Sequence, residues 1–336
     1  MSTGQAAAPA PTKTTTRTSR SGGRLRQVLG GAGGPFLGLV VLAVALFIAT
    51  PAFLTVNNLL NILDQITILG VLALGMTFVI VTGGIDLSVG AVLAFSMMVL
   101  GWTSHDAGWP LPLSILAAIL AGGLCGLVSG LGITRAKLPP FIATLAMLSI
   151  ARGAANVITD GQQIVGFPDW FTGLSTTRYF GFLTVTAVIL VLLLVAGWAF
   201  MRYRPGGRGL YAIGGSPEVA RLAGIDVKRA TTGVYVTMGL LAGLAGVILA
   251  TRLDSAQPSA ANGIELDTIA AVVIGGASLS GGVGRITGTI VGVLIIGVLR
   301  NGLNLMSVSP FVQMIVIGVV IALAVMVDVL RRRDQV

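Results

Sequence analysis

The chain has little of what aqueous chemistry requires. Only 10% of its 336 residues are charged, and it holds one cysteine and one histidine. A lone Cys125 and a lone His105 exclude an intramolecular disulfide or a His/Cys metal cluster. No metal site and no cofactor are expected, and Cys125, in A-G-G-L-C-G-L, reads as a small packing residue. Lys13, Lys137 and Lys228 follow Thr, Ala and Val, so the chain has no G-x-x-x-x-G-K-[ST] phosphate loop. Enzymatic activity is therefore not expected, and any ATP that drives the protein must bind another chain. Ionisable groups inside the apolar stretches are scarce too: Asp64, Asp86 and Arg152 are the main ones, with Asp328 near a span end. A proton-coupled carrier needs acid or histidine relays at membrane depth, which this chain barely supplies.

Apolar residues are abundant, at 54% of the chain, with a mean hydropathy of +0.94. Soluble domains carry about 25% charged residues, so this composition is that of an integral membrane protein. Crossing a bilayer takes roughly 20 apolar residues per helix. Ten segments qualify or nearly so: 35–53, 62–82, 87–104, 110–133, 139–159, 180–201, 230–252, 266–280, 284–303 and 310–330. The expected fold is an all-α polytopic membrane protein of about ten transmembrane helices. The eighth segment, short and rich in Gly and Ser, is expected to be broken or re-entrant. Residues 1–34 carry five cations and no acid, and read as a disordered basic cytoplasmic tail.

The net charge of +9 follows the membrane, not a nucleic acid. With ten crossings and both termini inside, seventeen of the 21 cations fall on the cytoplasmic side, as the positive-inside rule requires. Arg152, Arg178, Arg252 and Arg300 are the remainder. Two four-residue glycine ladders, Gly122/Gly126/Gly130 and Gly284/Gly288/Gly292, predict close helix contacts.

Three polar features stand out. The stretch 202–229 carries six cations against Glu218 and Asp226. Within it, Ser216 as N-cap, Pro217 at the first position, Glu218 in the first turn and Gly224 as the stop predict a short helix. Val219, Leu222 and Ala223 give that helix an apolar face. Second, T-G-G-I-D-L-S-V-G (82–90) reads either as a helix break lining a path or as a tight turn with Asp86 capping the next helix. It is echoed weakly by V-V-I-G-G-A-S-L-S (272–280). Third, Arg152 lies about three turns into its span, either functional or paired with Asp86 or Asp64, and Asn156 continues its polar face. Asp86, Ser88, Arg152, Asn156 and Asp64 are thus the candidate pathway residues. Asn57, Asn58, Asn61 and Gln65 are either ligand donors or helix caps, and Asp254, Glu265 and Asp267 bracket an outer loop open to a docking partner.

Four stretches together resemble the permease subunits of ABC importers for ribose, xylose and galactose-type sugars. They are 69–90, 138–153, 207–229 (G-R-G-L-Y-A-I-G-G-S-P-E-V-A-R-L-A-G-I-D-V-K-R) and 270–284. The resemblance spans residues 35–333 and implies a permease domain with a coupling loop at 202–229. It implies a bacterial plasma-membrane subunit that pairs with a second permease copy or sibling. A cytoplasmic ATP-binding cassette ATPase and an extracytoplasmic sugar-binding protein are the other implied partners. Glu218, Ala220 and Gly224 match the E-A-A…G coupling-helix pattern, with Val219 replacing an alanine, and Arg221 and Leu222 complete the element. Nucleosides or branched-chain amino acids are alternative cargoes, and an ATP-independent carrier is the alternative mechanism.

Overall fold

The computed structural model describes residues 33–333, so the basic tail lies almost wholly outside the described residues. Ten apolar helices occupy the ten expected segments. They are α1 (Gly33–Ala49), α2 (Val56–Val81), α3 (Val89–His105), α4 (Leu111–Thr134), α5 (Pro140–Val157), α7 (Val185–Tyr203), α10 (Val227–Leu253), α11 (Ile264–Ile274), α12 (Ile286–Leu305) and α13 (Pro310–Arg333). Six of these (α2, α4, α5, α7, α10 and α12) are long and apolar enough to cross a membrane unaided, while α1, α3 and the apolar part of α13 are shorter. The eighth, α11, has 11 residues and gives way at Gly275 to an irregular segment. The protein is an all-α, multi-pass membrane protein.

Among the described residues there are also three short helices, α6 (Asp169–Thr176), α8 (Pro205–Gly215) and α9 (Pro217–Leu222). Strands β1 (Ile164–Val165) and β2 (Ser255–Ala256) pair antiparallel beside α3.

Helix α2 is the axis of the molecule, buried continuously from Ile66 to Val81. An all-round apolar sequence belongs in such a place, since a helix facing water needs a polar face. Around it pack α10, α12, α7 and α11. The first glycine ladder is a helix seam throughout and the second from Gly288 on, Gly284 lying in the break before α12. Gly122, Gly126 and Gly130 of α4 lie so close to α10 that a Cβ on Gly126 would collide with the Tyr235 carbonyl. Gly288 and Gly292 of α12 approach α11 equally closely, at Gly275 and Ala271. Lipid offers no hydrophobic drive between helices, so this close backbone packing supplies dispersion contacts that larger residues would forfeit.

Helix α2 runs from the end that carries the four leftover cations to the end that carries α8 and α9. At the first end every one of those cations is held. Arg178 Nη2 donates to Asp64 Oδ2 at 2.6 Å, and Arg252 reaches the Asp64 carbonyl at 3.4 Å. Arg300 pairs with the buried Asp267. Arg152 Nη1 donates to the carbonyls of Pro258 at 2.8 Å and Ala260 at 2.9 Å.

Candidate functional site

The basic end is organised around a junction of two irregular segments. Helix α2 stops at Val81, the chain runs non-helically to Ser88, and α3 begins at Val89. The matching break after α11 runs from Gly275 to Arg285. The two breaks touch: the Gly282 amide donates to the Val81 carbonyl at 2.9 Å. Gly83, at φ 80°, makes room for Gly281. Sequences that echo each other thus fold alike and meet.

Asp86 lies buried in the first break, with its Oδ1 accepting from the Ser88 amide at 2.8 Å and the Ser88 hydroxyl at 2.6 Å. This is a local turn that aims the chain into α3. The segment is a break in which Gly84, Asp86 and Ser88 are buried and Gly83 is exposed, and the first turn of α3 has no side-chain cap.

Helix α8 fastens the basic loop to this junction. Gly214 sits directly on the Val81 carbonyl and the Gly282 amide. Tyr211 Oη donates to the Gly284 carbonyl at 2.7 Å. Burial pushes the Tyr211 hydroxyl above its ordinary pKa, so it remains a donor.

Helix α9 follows at once, built as the residues dictate. Ser216 Oγ accepts from the Val219 amide at 3.3 Å, and Pro217 occupies the first position. At the other end Gly224 turns left-handed at φ 82°. Its amide bonds Arg221 O and the Ile225 amide bonds Ala220 O, each at 3.0 Å, the paired closure of a Schellman cap. Ala220 is only 1% exposed, whereas Val219 is 63% and Leu222 88% exposed. The apolar face therefore divides. Ala220 and Ile225 face the chain's own α8, and Val219, Leu222 and Ala223 face outward along with Glu218 and Arg221.

The other candidates do not converge on one point. Arg152 holds the 258–260 loop through carbonyls and pairs with neither Asp86 nor Asp64. Asn156 donates to the Arg152 carbonyl one turn below, at 2.8 Å. Asp64 belongs to Arg178. Asn58 and Asn301 exchange amide bonds at 2.9 and 2.8 Å, locking α2 to α12. Asp254 accepts from the Phe167 amide at 3.0 Å and Asp267 from Arg300, which leaves Glu265 as the acid beside Gly90. Among the described residues no group of His, Cys, Asp and Glu is placed to hold a metal ion.

Residues 58–325 match the family described as "Branched-chain amino acid transport system / permease component". The chain belongs to this family. The permease is 48% identical over 296 residues to the ribose import permease protein RbsC of Bacillus subtilis (strain 168), covering 88% of this chain and 92% of that one. It is 44% identical over 298 residues to RbsC of Escherichia coli (strain K12), covering 87% and 92%. To the fructose import permease protein FrcC of Rhizobium meliloti it is 37% identical over 284 residues, covering 82% and 79%. No solved structure matches it.

Sequence reasoning missed α8, the element that ties α9 to the rest of the permease. Five of its 11 residues are glycine, which lowers helix propensity. Pro205 at the helix start was the available signal.

Proposed function

We propose that this permease is the membrane subunit of an ATP-driven importer and forms the path for a monosaccharide delivered by an extracytoplasmic binding protein. The observation that carries the reading is α9: a doubly capped helix anchored by Ala220 and Ile225, with Val219 and Leu222 presented unpartnered. A cytoplasmic ATP-binding cassette subunit takes these two side chains into a groove. Motion of that groove passes through α8 to the junction of the two breaks. The end bearing α8 and α9 is cytoplasmic, because it carries the six cations of 202–229 and Arg285. The chain itself hydrolyses nothing.

The path runs beside α5. Ser149, Gly153 and Asn156 form an exposed stripe on that helix, with nothing within 4 Å of a Cβ placed on Gly153. Ser149 and Asn156, exposed there beside Ile150 and Val157, suit the wall of a passage between two permease copies better than unbroken lipid contact. Ribose and fructose import by its relatives supports sugar cargo. The test is Leu222→Asp in the reconstituted importer. Membrane abundance should stay normal while ATPase co-purification and ribose uptake are both lost. Wild-type uptake by this variant would remove α9 from the mechanism.

A further inference from the structure

Helix α7 packs on α2 and α8 but stands apart from α10, and a crevice of about 480 Å³ opens between them. Leu74 and Phe78 of α2 line it, and Gly206 and Leu210 of α8 line it toward the basic end. Gly197 and Gly233 thin the two walls, and a Cβ on Gly233 would meet nothing within 4 Å. A second hollow of about 550 Å³, lined by Tyr203 and Arg204, adjoins it, sharing Ala196 and Phe200.

We propose that this crevice holds one acyl chain of an anionic phospholipid, its headgroup resting between Arg229 and Arg204. The lining is apolar except for Thr237 and Arg229. A hydroxyl-rich sugar there would surrender hydrogen bonds to water without replacement, whereas a hydrocarbon chain loses none. Depth agrees with a lipid. Trp198 and Tyr203, stacked edge to face with centroids 5.5 Å apart, end α7 beside the mouth. Trp and Tyr gather at the headgroup level of a bilayer. Charge agrees as well. Arg204 and Arg229 both stand exposed, the Arg229 side chain at 90%, and Asp226 meets Arg229 at Nε, 3.1 Å away. The proposal rests on the multi-pass reading alone and is independent of cargo and of ATP.

The test uses the full-length permease in phosphatidylcholine nanodiscs doped with phosphatidylglycerol that carries a diazirine on one acyl chain. After illumination, adducts should map to residues 193–210 and 229–241. Unlabelled phosphatidylglycerol should compete better than phosphatidylcholine, by about fivefold for each cation engaged. Gly233→Leu, which fills the crevice and favours the helix, should abolish those adducts. Arg229→Gln, at an exposed position, should leave the adducts in place but lower the headgroup preference about fivefold. The proposal falls if adducts spread evenly over all apolar helices, if phosphatidylcholine competes equally, or if Gly233→Leu labels like wild type. It also falls if Gly233→Cys cross-links two permease copies, since a second copy would then fill the crevice.

Discussion

Gly214→Ala tests the link between the basic loop and the breaks in the membrane domain. The added methyl would collide with the Val81 carbonyl and the Gly282 amide, which are themselves bonded to each other at 2.9 Å. Neither group can rotate away, because both are backbone. Overpacking of this kind costs about 1–3 kcal/mol, and losing the Gly282–Val81 bond adds about 0.5–1.5 kcal/mol. Gly215→Ala is the internal control: one residue on, an added Cβ meets nothing within 4 Å, so a change within about 0.5 kcal/mol is expected. Thermal unfolding of the purified permease should show a lower midpoint for Gly214→Ala and none of that loss for Gly215→Ala. In the reconstituted importer, Gly214→Ala should still bind the ATPase, since α9 is intact, yet uptake per ATP hydrolysed should fall. Wild-type stability and uptake in Gly214→Ala, or equal damage from Gly215→Ala, would refute the linkage.

Arg152→Ala removes two charge-assisted bonds to the 258–260 loop, each worth about 1.5–3 kcal/mol. Uptake should drop while ATPase binding persists, and normal uptake kinetics at equal abundance would clear Arg152 of any role. Asn58→Leu alone leaves Asn301 unsatisfied in a buried site and should destabilise the permease by about 1–3 kcal/mol. The double variant Asn58→Leu/Asn301→Leu should recover most of that loss in thermal unfolding, and additive losses would show that the amide pair is not a unit.

Hydropathy made the ten apolar helices legible, because a membrane span must satisfy its backbone internally and be apolar over its length. The short helix α9 was legible residue by residue, since caps are local: Ser216, Pro217 and Gly224 each act within four positions of themselves. What eluded the sequence depends on partners distant along the chain. Arg152 has carbonyl partners, and a carbonyl carries no residue-type signature. The division of the α9 face, with Ile225 turned toward Gly209 and Leu222 turned out, follows from α8, whose glycines hid it. The echo between 79–88 and 272–280 looked weak because the flanking spans do not align. Its meaning lies in the Gly282–Val81 contact, which only the packed chain displays.

The central claim is that Leu222 enters a groove of the ATPase, and site-directed cross-linking tests it most directly. Cys125→Ser removes the single native thiol, and Leu222→Cys places a new one on an 88% exposed position of α9. With a short bifunctional reagent, the assembled importer should yield a permease–ATPase product, and ATP binding should change its yield. Leu253→Cys, at the opposite end of α10, should yield none. A Leu222→Cys importer that transports normally yet gives no such product, or one in which Leu253→Cys cross-links equally well, would contradict the account.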